Sequence, residues 1–391
     1  MMCSDMNTKK TKIICTLSDN NCEVDFIRSL FENGMDVVRL NSAHASIEGA
    51  QKVVDNVRKV SDRIAILIDT KGPEIRLAAM DSSAGFVLRQ GERIDFINST
   101  TVLCSREHLC TNCESFVKDV PTGAHILIDD GSADLVVVDK NDDRLVCEAQ
   151  NTAVIKGRKS INVPGVAIEL PSLTDKDRMF IEWAIDADIE FVAHSFVRSC
   201  KDLAEIKEMI SSKDSHLKII SKIENQQGID NLEDILNDCY GVMIARGDLG
   251  VEIPAEKIPH IQKMLIEKCR ARKKPVIVAT QMLHSMIDNP RPTRAEVTDV
   301  ANAIAQRADA IMLSGETAFG KYPVEAVKTM CTIAKESESY IDVSLDVNLE
   351  KVTKPIAAVL ARSIVRATEE IPVKAIIFDT WTGRTGRYLA E

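Results

Sequence analysis

The sequence lacks an excess of basic charge, a long apolar run and a paired cysteine pattern, and each absence excludes a class of protein. The net charge of -10 argues against nucleic acid or an anionic membrane as the main partner. The first apolar run, Ile13–Cys15, is too short for a signal peptide or a membrane span. The 11 cysteines are odd in number and scattered, as in reduced intracellular proteins. We therefore expect a soluble, cytoplasmic protein.

Eight short apolar runs alternate with amphipathic helical stretches. They are Ile13–Cys15, Val37–Leu40, Ile64–Ile68, Phe191–Ala193, Ile219–Ile220, Val242–Ile244, Val276–Ala279 and Ala310–Leu313. Such runs predict a parallel sheet covered on its faces, and eight units favour closure into a (β/α)8 barrel. Polar residues follow most of the runs, which favours the barrel over a doubly wound sheet with a single switch point. The predicted fold class is therefore α/β, with a TIM barrel.

The alternation breaks once, after the third run. Between residues 74 and 164 short alternating strands indicate a small inserted β-barrel domain, which can act as a lid. We predict a catalytic barrel over residues 1–73 and 165–345, the lid over 74–164, and a partial α/β domain over 346–391.

Two motifs lie one βα unit apart, at the ends of the fifth and sixth runs. Lys222 and Glu224 form the first, and Gly247 and Asp248 belong to the second. Carboxylates on neighbouring strands can bind one hard divalent cation, and a lysine beside them attracts an anion. Isolated acids at strand ends are usually only solvated. Two acids, a lysine and a Gly-Asp turn in register instead favour a site for a phosphorylated, carboxylate-bearing substrate.

Seven longer motifs occur in one order along the chain. They are Arg39–Asn41, Asp69–Arg76, Ile219–Asn225, Met243–Gly250, Ala279–Leu283, Pro290–Glu296 and Met312–Ala318. In these motifs, and from Thr11 to Glu391, the chain closely resembles the pyruvate kinase family. The resemblance implies phosphoryl transfer from phosphoenolpyruvate to ADP, giving pyruvate and ATP in the last step of glycolysis. It also implies Mg2+ or Mn2+ as cofactor and a homo-oligomer, the family's tetramer.

The resemblance also implies roles for individual residues. The family's catalytic residues match Lys222, Arg39, Thr280, Ser314 and Glu316. Its substrate-binding residues match Arg39, Lys222, Ala245, Arg246, Gly247, Asp248 and Thr280, and its Mg2+ ligands match Glu224 and Asp248. Its nucleotide-binding residues match Asn41, His44, Arg76 and Lys159. Among these, Lys222 would stabilise the transition state, and Thr280, Ser314 and Glu316 would border the water chain that protonates the enolate.

The resemblance further implies a K+ site. Its ligands would be Asn41, Asp69 and Thr70, and the acid Glu74 matches members that need the external ion. The family's usual serine ligand falls at Ala43, so Ser42, a backbone carbonyl or water replaces it, or the site is weakened.

A cysteine-rich stretch of the lid suggests a zinc site at first sight. Cys104, His108, Cys110 and Cys113 lie within ten residues. Structural zinc sites usually take their ligand pairs from two separated segments, whereas buried thiols serve as small apolar side chains. We therefore favour the second interpretation.

The C-terminal segment resembles the family's effector domain but is short. A helix over 356–370 and a strand over 375–378 precede Thr380–Thr385, which resembles a phosphate-binding effector loop. One strand cannot form a sheet, so we expect this domain to be cut short. We expect little sugar-phosphate activation and an assembly weaker than the tetramer.

Two other functions are compatible with parts of the pattern. A metal-dependent aldolase would use the same acids to stabilise a pyruvate enolate, but it would not need Arg76 and Lys159. A non-catalytic, effector-binding barrel would not need the complete set of site residues.

Overall fold

The first part of the chain alternates strands and helices. The computed structural model describes residues 9–341, 355–379, 386 and 389. The first elements are β1 (Lys12–Leu17), α1 (Val24–Glu32), β2 (Val37–Asn41), α2 (Ile47–Val60) and β3 (Ala65–Asp69). The strands coincide with the β-branched runs, and Ser46 caps α2 by accepting the N–H of Gly49.

The inserted segment forms short strands around its own apolar core. Its elements are β4 (Phe86–Leu88), β5 (Arg93–Ile97), β6 (His108–Leu109), α3 (Phe116–Asp119), β7 (His125–Ile128), β8 (Ala133–Lys140), β9 (Arg144–Ala149), β10 (Ala153–Ile155) and β11 (Ile161–Asn162). They make a six-stranded sheet, β11-β7-β8-β9-β5-β6, and a two-stranded sheet, β10-β4. This differs from the predicted small barrel, because the three-residue strands β4 and β10 pair only with each other.

The third part continues the alternation to the end of the barrel. Its elements are α4 (Asp175–Asp186), β12 (Phe191–His194), α5 (Ala204–Ser212), β13 (Lys218–Ile223), α6 (Gln226–Asp230), α7 (Leu232–Asp238), β14 (Gly241–Ala245), α8 (Arg246–Glu252), α9 (Ile258–Ala271), β15 (Val276–Ala279), α10 (Arg294–Ala305), β16 (Ala310–Leu313), α11 (Gly315–Ala318), α12 (Pro323–Ser339) and α13 (Pro355–Glu370). Short 3-10 helices cover Cys200–Leu203, Ala255–Lys257 and His284–Ile287.

Eight parallel strands close into the predicted barrel, in the order β1-β16-β15-β14-β13-β12-β3-β2. Its interior is filled by a small apolar cluster that includes Ile14, Leu67, Ile220 and Met243. The other face of each strand packs against the helices in a much larger cluster. The carboxyl ends of all eight strands therefore meet on one rim, where this architecture carries its functional residues.

The predicted C-terminal strand over 375–378 is wrong. These residues are neither helix nor strand, and Ile377 is 97% exposed. An apolar run forms a strand only where a neighbouring strand accepts its hydrogen bonds, and the described residues supply none here. The predicted helix over 356–370 is confirmed as α13, whereas the loop Thr380–Thr385 lies outside the described residues. Within the described part of the chain, no helix has the length and apolar character needed to cross a membrane.

Candidate active site

Lys222 lies at the centre of a buried charge cluster on the carboxyl rim of the barrel. Its Nζ is 2.7 Å from Ser195 Oγ, 3.1 Å from Asp69 Oδ1 and 2.9 Å from Glu224 Oε1. The side chain is about nine-tenths buried. The contact with Ser195 is a hydrogen bond, and the two contacts with the carboxylates are ion pairs.

The charges in this cluster shift one another's pKa. Burial alone would lower the pKa of Lys222, but Asp69, Glu224 and Asp248 outweigh it and the net shift is upward. Burial would raise the pKa of Asp69, but Arg39 and Lys222 hold it below its usual value. Burial raises the pKa of Glu224 to about 7, an effect that Asp248 adds to and Lys222 opposes. Lys222 therefore stays charged. Of the two buried acids, Glu224 is the one whose ionisation is less favourable.

A second cation, Arg39, shares Asp69 with Lys222. Its Nε donates to Asp69 Oδ2 at 2.7 Å, and its Nη1 donates to Thr16 Oγ1 at 3.0 Å. Thr16 is fixed in turn because its hydroxyl donates to the carbonyl of Leu313. Two cations thus flank one buried carboxylate, an arrangement that favours binding of an anion beside them.

Glu224 and Asp248 are suitable as metal ligands. Glu224 Oε2 accepts the N–H of Phe196 at 2.7 Å, whereas Oε1 is buried and accepts no hydrogen bond of good geometry, although Lys222 lies nearby. Asp248 is exposed in the first turn of α8. No group of three or more His, Cys, Asp or Glu residues among the described ones is arranged to hold a metal. Two carboxylates fit Mg2+, which usually keeps several waters and adds substrate oxygens.

The start of α8 meets the turn after β15. Thr280 Oγ1 accepts the N–H of Gly247 at 2.7 Å and donates to the carbonyl of Ala279 at 2.6 Å. Thr280 has a φ of +69°, an unusual conformation for a β-branched residue that marks strain at this turn. The Arg246 guanidinium is directed to Asp299 and to the Thr280 carbonyl. Of the predicted segment that starts at Ala245, the backbone and not the Arg246 side chain is available to a substrate.

Ser314 and Glu316 lie on the adjoining turn after β16. Glu316 is 1% exposed, and its carboxylate accepts the N–H of Ser314 at 2.8 Å and that of Leu283 at 3.1 Å. The acid therefore fixes the Ser314 turn to the segment that follows Thr280.

The predicted nucleotide-binding residues lie at the rim and at the base of the lid. Arg76 pairs with Glu74 at 2.7 Å, and Lys159 pairs with Asp129 at 2.9 Å. The two cations belong to paired segments, because the N–H of Leu77 donates to the Lys159 carbonyl. His44 is exposed, and Asn41 Oδ1 accepts the N–H of Ala43 at 3.1 Å.

The oxygens predicted for K+ are partly engaged. Both Asp69 oxygens pair with cations, and the Thr70 carbonyl accepts the hydroxyl of Ser195 at 2.6 Å. Ser42 is fully buried, and its Oγ has no hydrogen-bond partner. That orphaned oxygen, on the residue between the Asn41 ligand position and Ala43, fits a cation site that lacks one side-chain ligand.

The lid cysteines lie in an apolar environment. Cys104 and Cys110 are fully buried with their sulfurs 3.7 Å apart, and burial raises the pKa of Cys110 to about 12. Such thiols act as small apolar side chains.

Sequence reasoning missed two contacts of the site. Ser195 and Thr16 are two of the polar residues that follow the apolar runs, and they contact Lys222 and Arg39 directly. Their position at a strand end was the only available signal.

A parallel barrel that brings a buried lysine, an arginine and two metal-compatible carboxylates to one rim defines a barrel enzyme acting on an anionic substrate. Comparison with known proteins narrows this class. The family model described as "Pyruvate kinase, barrel domain" matches residues 8–327. The chain therefore belongs to the pyruvate kinase family, whose members are phosphotransferases that use a divalent metal and K+.

Individual relatives agree with this assignment. The chain is 49% identical over 387 residues to the pyruvate kinase of Borreliella burgdorferi, covering 98% of this chain and 80% of the relative. It is 45% identical to that of Geobacillus stearothermophilus, covering 98% and 66%. The crystal structure of a pyruvate kinase from Cryptosporidium parvum superposes with a TM-score of 0.93 at 38% identity, covering 97% of this chain and 80% of that one. The chain thus spans between about two thirds and four fifths of these relatives' length.

Proposed function

We propose that this chain transfers the phosphoryl group of phosphoenolpyruvate to ADP, with Lys222 as the cation that stabilises the moving group. The contacts of Lys222 with Ser195, Asp69 and Glu224 carry this proposal. A phosphoryl group in transfer spreads negative charge over its oxygens, so a fixed, permanently charged ammonium lowers the barrier. Arg39, held by Asp69 and Thr16, supplies a second charge to the same group.

Glu224 and Asp248 would hold Mg2+ or Mn2+, which supplies charge neutralisation for the substrate carboxylate and phosphoryl oxygens. The buried Glu224 Oε1 without a well-formed hydrogen bond supports this role. The backbone from Ala245 to Asp248 would receive the substrate carboxylate, for which the N–H of Gly247 and the hydroxyl of Thr280 would exchange their present hydrogen bonds. The Arg246 side chain would support this turn through Asp299.

The enolate left after transfer takes a proton at carbon. Thr280, Ser314 and Glu316 would border the water chain that delivers this proton. Support comes from the hydrogen bonds that tie Glu316 to Ser314 and to the segment after Thr280.

The nucleotide would bind between the rim and the lid, through Asn41, His44, Arg76 and Lys159. Since Arg76 and Lys159 are paired with Glu74 and Asp129, nucleotide phosphates would compete with those acids for the cations. A K+ ion would bind near Asn41, Asp69 and Thr70, with Ser42 Oγ as the oxygen that compensates for Ala43.

The proposed domains follow the order of the barrel and its insertion along the chain. The catalytic domain would comprise residues 1–73 and 165–345, with the lid over 74–164 and a C-terminal segment over 346–391. We propose a cytoplasmic homo-oligomer without nucleic-acid or membrane partners.

A lactate-dehydrogenase-coupled assay with phosphoenolpyruvate and ADP tests the activity. ADP-dependent pyruvate formation that needs Mg2+ supports the proposal. Pyruvate formation that is insensitive to ADP, or none with the wild-type chain, would contradict it.

A further inference from the structure

Ser195 joins the catalytic lysine to the loop that follows β3. The residue is 2% exposed and lies directly after β12. Its Oγ is 2.7 Å from Lys222 Nζ and 2.6 Å from the carbonyl oxygen of Thr70. A carbonyl can only accept and an ammonium can only donate, so the hydroxyl must donate to Thr70 and accept from Lys222. The orientation of this hydroxyl is therefore fixed by its two partners.

The backbone around Ser195 is fixed as well. Its N–H donates to Thr70 Oγ1 at 3.0 Å. The Gly72 backbone approaches this turn closely, because a Cβ at residue 72 would lie 2.8 Å from Ser195 Cβ and 2.9 Å from a ring carbon of Phe196. The buried carboxylate of Asp177 accepts the N–H groups of Lys71 and Gly72 and so fixes the backbone of that loop.

The next residue holds the other half of the site. Phe196 has a φ of +55°, which is rare for a bulky side chain, and its N–H donates to Glu224 Oε2. Consecutive residues of one strained turn thus contact the phosphoryl-binding cation and the candidate metal ligand.

We propose that Ser195 is a positioning residue for phosphoryl transfer, which fixes the Lys222 ammonium relative to Glu224; this inference rests on the proposed function. The two charged partners of Lys222 also serve others, since Asp69 pairs with Arg39 and Glu224 would bind the metal. Ser195 is the neutral partner whose bond to Lys222 persists when substrate and metal bind. Without it, the ammonium is drawn toward the carboxylates and away from the phosphoryl group.

The test compares Ser195→Ala with Ser221→Ala. Ser221 is also a buried hydroxyl and directly precedes Lys222 in β13, but alternation along the strand turns it to the opposite face of the sheet. We expect Ser195→Ala to lower kcat by roughly tenfold to a hundredfold, with KM and the calorimetric Kd for phosphoenolpyruvate changed by less than about threefold. Ser221→Ala should retain wild-type kcat.

Three outcomes would overturn the inference: wild-type kcat in Ser195→Ala, an equal loss in both variants, or a loss of kcat that only follows a lower melting temperature and weaker phosphoenolpyruvate binding. If Ser195→Ala does not fold, Ser195→Cys keeps a group of similar size with weak hydrogen bonding. That variant should show the same loss of kcat, and a folded Cys variant with wild-type turnover overturns the inference. Failure of the proposed function is recognised separately, because the wild-type chain would then show no ADP-dependent formation of pyruvate.

Discussion

Lys222 and Asp69 form an ion pair of 3.1 Å although β12 lies between their strands β13 and β3. The contact is possible because both side chains lie at the carboxyl rim, where a side chain can reach past the end of the intervening strand. Ser195, directly after β12, contacts Lys222 and lies 3.4 Å from Asp69. Three consecutive barrel positions therefore form one electrostatic unit.

Replacement of Lys222 by Met keeps the length of the side chain and removes its charge. We expect kcat to fall by several powers of ten with phosphoenolpyruvate binding largely intact, as for a group that acts mainly in the transition state. Steady-state kinetics and calorimetric binding measure the two effects. Asp69 retains its pair with Arg39, so the variant should still fold, and near-normal turnover would remove Lys222 from the mechanism.

Glu224 and Glu252 provide a matched pair of acids for the metal site. Burial raises the pKa of each to about 7, but only Glu224 lies beside Lys222 and is influenced by Asp248. We expect Glu224→Gln to raise the Mg2+ concentration at half-maximal activity by about tenfold or more. Glu252→Gln should leave it unchanged. An unchanged midpoint in the Glu224 variant would place the metal elsewhere.

Activity should rise when K+ is added to a buffer free of Na+ and K+ at constant ionic strength. Glu74 supplies no positive charge at this position, so an external cation is expected to neutralise the site. Ala43→Ser should lower the K+ concentration at half-activation by adding an oxygen ligand, and Ser42→Ala should raise it. Full activity in a tetramethylammonium buffer would count against a monovalent-cation site.

The barrel was predictable from sequence because its signal is local. Each β-branched run became a strand, from Lys12–Leu17 to Ala310–Leu313, and the polar residues after the runs met on one rim. The run over 375–378 has the same local signal but finds no partner strand among the residues that the structure describes, so an apolar pattern alone does not determine a strand.

The contacts within the site were less predictable because they join distant residues. Asp177 binds the backbone of Lys71 and Gly72 across more than a hundred residues, and Ser195 does the same for Thr70. A serine or aspartate near a strand or helix end is common, so composition and spacing give no indication that these particular side chains support the site.

Glu252 should make stability depend on pH. It ends α8, and its carboxylate accepts the N–H of Gly165. Burial raises its pKa from 4.5 to about 7, so between these values the folded chain holds a proton that the unfolded chain releases. The free energy of unfolding therefore falls as pH rises through this window, and the loss is complete above pH 7.

Glu252→Gln removes this titration, while its amide oxygen can still accept the Gly165 N–H. We expect the variant to match the wild type near pH 4.5 and to exceed its free energy of unfolding by roughly 1–3 kcal/mol at pH 8. Urea unfolding at a series of pH values measures the difference. Glu256→Gln, which changes an exposed acid in the next turn, serves as the control and should follow the wild type. If the free energy of unfolding depends on pH in the same way in the wild type and in Glu252→Gln, ionisation of Glu252 does not destabilise the folded chain.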